Sequence, residues 1–296
     1  MTWEVVAPAT TANLGPGFDV LGAALDLEAR FLVAEGSGGF VWPQGTEPPS
    51  GPNLFLDAFA AAFALRGQEL PQISVQVTQM LPLRAGLGSS ASAICAGLRA
   101  ADVLLASPLG PDESLRIATG LEGHPDNVAA CLFGGLTIAS GSDDPVLRRL
   151  PAPPLRAIAL YPGGATSTPR ARAALAPLVP RTSAVHNIGR TALLVYAMIE
   201  GDYELLRAAT EDRLHEAQRI GDCDWCEAAR SAAYGAGAYA MPVSGSGPTM
   251  IALTSPGHAA AVYAALQPFA RQLPGGMIWD LGFTEQGARA GVLRPR

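Results

Sequence analysis

The segment Pro82-Leu83-Arg84-Ala85-Gly86-Leu87-Gly88-Ser89-Ser90-Ala91-Ser92 holds the ingredients of an anion site. Glycines at 86 and 88 let the main chain approach phosphate oxygens closely. The Ala- and Leu-rich run from Ser89 to about Ala106 contains no internal proline and reads as a helix. Its first turn offers N–H donors without intrahelical partners and the positive end of a dipole. Ser89 and Ser90 are cap candidates. Their hydroxyls also suit phosphate oxygens or a Mg²⁺ ion. The pattern is not the dinucleotide-binding G-x-G-x-x-G, because only Gly86 and Gly88 fit. By itself such a segment is more often an ordinary capped helix after a glycine turn than an anion site.

Composition narrows the phosphate chemistry. All 20 basic residues are arginine. A Walker A loop and a protein kinase each need a lysine on the phosphates. A pyridoxal-phosphate enzyme needs one for its Schiff base. Those classes are excluded or badly compromised, so phosphates here must be held by main-chain N–H groups, a helix start, a metal ion or arginine. A net charge of -6 argues against a general nucleic-acid binder. No stretch is apolar enough to span a bilayer, and the first residues lack the pattern of a secretion signal. A cytoplasmic protein is the expectation. Cys95 and Cys131 sit in apolar surroundings and read as buried. Cys223 and Cys226 form one C-x-x-C without a second ligand pair, so they read as ordinary helix or loop cysteines rather than a zinc or redox site.

The elements that must position these residues follow from periodicity. Phe31 and Val33 lie in one candidate strand, and Ile73, Val75 and Val77 alternate with polar residues as a half-buried strand should. The first third otherwise reads as strands and turns. Short helices are expected at 113–120 and 126–132, and a strand at 136–139. The stretch 141–154, with four prolines, is the best boundary. It divides an N-terminal unit, 1–150, from a C-terminal unit, 151–296. The second unit begins with a strand at 156–161. Helices are expected at 184–200, at 203–219 in one or two pieces, at 224–236 and near 258–271. Strands are expected around 243–253 and near 277–281. This order gives the α+β class. Thr168 and Arg172, four apart, fall on one helical face.

Taken with its neighbours, the glycine segment resembles the phosphate loop of the GHMP kinase superfamily, P-x-x-x-G-L-G-S-S-A. The stretch from Ala7 through Asn13, Gly15 and Gly17 to Asp19 is similar to that superfamily's first motif. Val243-Ser244-Gly245-Ser246-Gly247-Pro248-Thr249 is similar to its third. Glu122-Gly123-His124-Pro125-Asp126-Asn127, Asn187 to Arg190, Glu211 to His215 and the Thr168/Arg172 pair resemble the members that phosphorylate L-homoserine. The resemblance implies a two-domain fold with a ribosomal protein S5 domain 2-like N-terminal domain and a ferredoxin-like C-terminal domain. It also implies ATP and Mg²⁺ as cofactors, a place in threonine biosynthesis and a homodimer.

Roles follow on the same basis. Residues 82–92 would hold the triphosphate, Asn53 would lie near the adenine, and Ser90 and Glu122 would bind the metal. Many of those relatives carry a further glutamate where this chain has Gly120. Arg172 and Arg213, supported by Thr168, would pair with the substrate carboxylate, for which a guanidinium fork is suited. Asp19 and Asp126 would take the ammonium. Asn13, His124 and Asn127 would complete the hydrogen bonding, with Asp126, Asn13, His124 and Arg172 as the catalytic set. Gly245 and Gly247 form a tight turn that meets either the phosphate loop or the substrate, or is purely structural. Two other readings stay open: a GHMP kinase for mevalonate, shikimate or a sugar alcohol, and an inactive ATP-binding regulator of the same fold.

Overall fold

The computed structural model describes residues 1–46, 51–164, 168–221 and 223–293, the side chains of 168–170 excepted. Two long strands, β1 (Thr2–Asn13) and β2 (Gly17–Glu35), form a hairpin. Its turn requires left-handed backbone at Asn13, Leu14 and Gly15. β2 is long enough to serve two neighbours. Its first half pairs with β5 (Leu136–Ser140), and its second half with β4 (Ile73–Gln79). β3 (Gly39–Val41) runs parallel to β4, and β6 (Val146–Leu150) pairs with β5. Helices α1 (Leu54–Arg66), α2 (Ser89–Asp102), α3 (Pro111–Glu122) and α4 (Pro125–Phe133) supply the other layer. Helix α1 stands where strands and turns were expected. It is apolar on nearly every side because Phe55, Ala58, Phe59, Ala62 and Phe63 are buried, so no single apolar stripe marks it.

A second sheet, in the order β10-β7-β9-β8, is antiparallel throughout. It comprises β7 (Arg156–Tyr161), β8 (Ala238–Ala240), β9 (Met250–Thr254) and β10 (Met277–Gly282). Its alternation is clean, as a sheet covered on both faces requires. Ala157, Ala159, Ile251 and Leu253 join the core of the first sheet. Ile158, Leu160, Met250 and Ala252 pack under α9 (Cys226–Gly235) and α10 (Ala259–Gln272). Between β7 and β8 the chain forms α5 (Thr168–Ala173), α6 (Arg181–Glu200), α7 (Leu206–Ala209) and α8 (Glu216–Ile220).

Two further features differ from the sequence expectation. The last strand, β11 (Arg289–Val292), leaves the C-terminal unit and pairs with β1 at the edge of the first sheet. Residues 151–296 are therefore not one continuous unit. Cys223 and Cys226 form a disulfide rather than standing as separate thiols. The start of α9 at Cys226 brings their Cα atoms to 5.5 Å, within disulfide reach.

Candidate active site

The β4–α2 connection forms the glycine turn. Gly86 and Gly88 are both left-handed, at φ 73° and 70°. Neither has room for a side chain. A Cβ on Gly88 would lie 1.9 Å from Thr10 Oγ1, and one on Gly86 would lie 2.5 Å from the Ser244 carbonyl oxygen. Helix α2 begins at a Gly88 cap with no side-chain capping bond, so neither Ser89 nor Ser90 caps it. Ser92 Oγ donates to the Ser89 carbonyl. Ser90 Oγ donates to Glu122 Oε1 at 2.6 Å. The N-terminal N–H groups of α2 are thus not covered by a capping side chain, which is what an anion needs there. Ala85, Leu87 and Ala91 are buried and anchor the turn, whereas Pro82 lies outside the cleft lining.

The third motif clamps this turn. Ser244 Oγ donates to the Gly86 carbonyl at 2.6 Å, and the Gly245 N–H donates to the Ala12 carbonyl at 3.0 Å. The Thr10 N–H reaches the Leu87 carbonyl at 3.1 Å. All three glycine-bearing segments therefore meet, and the 243–249 turn abuts the phosphate turn.

A cleft of about 920 Å³ runs past it. Phe31, Phe40, Trp42, Val77 and Met80 line an apolar part. Asn53 lies there too, its side chain accepting from the Leu56 N–H to cap α1. Asn13, Asp19, His124, Asp126, Asn127 and Arg172 line a polar part. Asp126, in the first turn of α4, is buried and accepts its neighbour's Asn127 N–H at 2.7 Å. It also contacts His124 Nδ1. Burial opposes charge on His124, but the hydrogen bond and charge of Asp126, with Glu122 adding, outweigh it and raise its pKa. His124 Nε2 is buried without a hydrogen-bond partner among the described residues, 4.0 Å from Glu122 Oε1. Burial also pushes the Glu122 carboxyl up, against the Ser90 hydrogen bond and the His124 charge. Asn127 Oδ1 accepts from Thr10 Oγ1 at 2.7 Å, which ties it to β1 behind Gly88. Asn13 donates to the Gly245 carbonyl at 2.8 Å and accepts the Asp19 N–H at 3.0 Å.

Arg172 makes a two-pronged contact with Asp19, at 2.9 and 2.5 Å. Beside it lies an arginine that the sequence reading missed. Arg219, on α8, lines the cleft; its Nη1 donates to the Gly245 carbonyl at 2.6 Å and its Nε is buried without a partner among the described residues. Both guanidinium groups sit over the Phe18 ring, at 5.5 and 5.2 Å from its centroid, so the ring face offsets some of their mutual repulsion. Burial, together with the nearby Arg172 charge, lowers the pKa of Arg219. Its Nη1 also meets His215 Nδ1 at 3.1 Å, while His215 Nε2 meets the Gly15 carbonyl at 2.7 Å. Those two partners select the neutral Nε2–H tautomer, and burial lowers this histidine's pKa accordingly.

Arg213 is exposed and outside the cleft lining. The reason is a break in the expected 203–219 helix. Asp212 Oδ2 accepts the N–H groups of Leu214, His215 and Glu216, which starts a new helix and re-aims Arg219 inward. An aspartate just ahead of a helical run is the signal that marks such a restart. Thr168 opens α5, but its side chain lies outside the described residues.

Comparison with known proteins agrees with this architecture. The model of the GHMP kinases N terminal domain matches residues 53–135, and that of the GHMP kinases C terminal domain matches 194–271. A homoserine kinase of Gloeobacter violaceus is 39% identical over 297 residues, covering 97% of this chain and 98% of that one. One of Thermus thermophilus is 40% identical over 277 residues, with 90% and 91% covered. The crystal structure of homoserine kinase from Cytophaga hutchinsonii superposes with a TM-score of 0.87 at 29% identity, covering 98% of this chain and 97% of that one. That of L. major mevalonate kinase in complex with R-mevalonate, at 16% identity and a TM-score of 0.69 over 96% of each chain, shares the fold alone. With near-complete coverage at this level of identity, the chain belongs to the homoserine kinase family of the GHMP kinases.

Proposed function

We propose that this chain transfers the γ-phosphoryl group of ATP to the side-chain hydroxyl of L-homoserine, giving O-phospho-L-homoserine and ADP in threonine biosynthesis. The observation that carries this reading is the juxtaposition in one cleft of a glycine turn leading into a helix start without a side-chain cap and a cluster of Asp19, Asp126, Arg172 and Arg219. The first suits a triphosphate. The second suits a small zwitterion bearing a hydroxyl.

The apolar part of the cleft takes the adenine, and the main chain of residues 86–90 takes the phosphates. Arg219 offers its guanidinium to the substrate carboxylate, with Arg172 beside it. Asp19, held by Arg172 and the Asn13 amide, faces the ammonium. Asp126 has Oδ1 engaged by Asn127 and His124, which leaves Oδ2 to accept the hydroxyl's hydrogen bond and turn its oxygen toward the γ-phosphorus. As that oxygen bonds to phosphorus, the bond to the β-phosphate oxygen breaks. The transition state is loose, so positioning and charge stabilisation carry the rate and the hydroxyl proton leaves late, toward Asp126.

Ser90 and Glu122 fit a Mg²⁺ ion. They bring two hard oxygen donors 2.6 Å apart beside the phosphate turn. A side chain at Gly120 would meet open space on the exposed face of α3, so Glu122 is the carboxylate placed for the role. The ion, when bound there, would neutralise charge on the β- and γ-phosphate oxygens. No helix among the described residues is long and apolar enough to cross a membrane.

The test is ADP release measured with L-homoserine, L-serine and mevalonate. Turnover with L-homoserine far above the other two is expected. Preference for mevalonate, or ATP binding with no turnover of any alcohol, would overturn the proposal.

A further inference from the structure

His215, immediately before α8, has a fully buried side chain. Three contacts fix it. Its main-chain N–H donates to Asp212 Oδ2 at 2.7 Å. Its ring stacks on that of Phe18, with centroids 5.1 Å apart and planes 29° from parallel. Its Nε2 meets the Gly15 carbonyl at 2.7 Å. A carbonyl only accepts, so Nε2 carries the proton and Nδ1 presents a lone pair. That lone pair faces Arg219 Nη1 at 3.1 Å. A neutral imidazole donates at one ring nitrogen and accepts at the other, and this position uses both.

We propose that His215 is the positioning residue for Arg219: its Nδ1 fixes the roll of the guanidinium so that Nη2 is presented to the substrate carboxylate. The proposal rests on the reading of Arg219 as a carboxylate anchor. Nη1 carries two hydrogens. One goes to the Gly245 carbonyl at 2.6 Å and the other to His215 Nδ1. With both engaged the guanidinium plane is held, and Nη2 is the nitrogen left for the cleft that Arg219 lines. The Gly245 carbonyl alone would let the plane swing about a single hydrogen bond. A donor already held in its bound orientation loses little freedom when the substrate arrives.

The surroundings keep the ring in the state this role requires. Burial disfavours a charge on it, and the Arg219 guanidinium adds to that; Asp212, whose Oδ1 lies 3.8 Å from Nε2, the Gly15 carbonyl and Asp19 pull the other way without prevailing. A second ring proton would turn an N–H toward Arg219 and replace an acceptor with a like charge. Asp212 also places the residue, since Oδ2 holds the N–H groups of Leu214, His215 and Glu216 at the helix restart. The restart and the ring together aim one guanidinium.

Two variants separate the ring's two bonds. Asparagine places its Oδ1 where Nδ1 stands, keeping an acceptor for Arg219 and losing the Gly15 bond. Glutamine places its Nε2 where the ring's Nε2 stands, keeping the Gly15 bond and losing the acceptor. His215→Gln is expected to raise the KM for L-homoserine about fivefold, with kcat and the KM for ATP little changed, because the lost interaction acts on substrate binding. His215→Asn is expected to recover most of that loss. In an Arg219→Met background His215→Gln should add nothing. Nitrogen NMR of the parent protein, which needs no variant to fold, should show His215 protonated at Nε2 and unprotonated at Nδ1 at neutral pH. A proton on Nδ1 would overturn the proposal. So would a KM for His215→Gln within about twofold of the parent's, a loss in His215→Asn as large as in His215→Gln, or a further rise on top of Arg219→Met. If His215→Gln fails while Arg219→Met raises the KM, only the positioning role falls. If Arg219→Met leaves the KM unchanged, the carboxylate assignment falls and the positioning role with it.

Discussion

Replacing Arg219 with methionine keeps a side chain of similar length and removes the guanidinium. Arg219 Nη1 is committed to the Gly245 carbonyl and Nε is buried, but the guanidinium lines the cleft, so Nη2 is the nitrogen left to meet a carboxylate. A hydrogen bond to a charged group contributes about 1.5–3 kcal/mol. Loss of that charged hydrogen bond is therefore expected to cost about 1.5–3 kcal/mol of substrate binding, a rise of roughly 10- to 150-fold in KM for L-homoserine. The KM for ATP should stay within about threefold, because the phosphates are held by main-chain N–H groups. Losing the bond to Gly245 has a separate, structural cost, which thermal unfolding reads independently. Arg219→Lys restores the charge but not the planar fork, so it should recover only part of the lost affinity. Steady-state kinetics varying each substrate in turn decide the matter. A KM for L-homoserine within about threefold of the parent's, or an equal rise for both substrates in a folded protein, would refute the assignment.

Gly88→Ala forces a β-carbon into left-handed backbone, at about 1–2 kcal/mol, and against Thr10 Oγ1, whose bond to Asn127 must then break. It should raise the KM for ATP more than that for L-homoserine; the reverse order would count against the phosphate site. Asp126→Ala should lower kcat by about 100-fold or more, and near-normal turnover would show that Asp126 does not orient the hydroxyl. Glu216 is buried, which pushes its carboxyl up to about 7 despite Arg230 and the Val243 N–H. The folded protein thus retains a proton that the unfolded chain releases near pH 4.5. The stability this confers is present at low pH and is lost as pH rises through about 7, a fall of about 3 kcal/mol. Glu216→Gln should flatten that part of the pH–stability curve in chemical denaturation. An unchanged slope would mean that Glu216 is ionised throughout.

Much of the site was legible because glycine and local sequence order carry it. The β4–α2 turn and Asp126 at the start of α4 each lie in a short segment whose residue types point to that position. What escaped depended on the third dimension. Helix α1 is covered on nearly every side, so its sequence lacks the stripe that marks a half-exposed helix. Ser89 and Ser90 look like caps, yet Glu122 from another helix claims the Ser90 hydroxyl. Arg213 and Arg219 are six positions apart in a segment read as helical in one or two pieces, and only the Asp212 restart decides which of them faces inward. The return of β11 to β1 is a pairing across most of the chain length that no local pattern specifies.

The most direct measurement is a crystal structure with a non-hydrolysable ATP analogue and L-homoserine bound together. The expected density puts the β- and γ-phosphates against the main-chain N–H groups of residues 86–90, with the homoserine hydroxyl between the γ-phosphate and Asp126. Phosphates bound away from the start of α2, or homoserine bound away from Asp126 and Arg219, would contradict it.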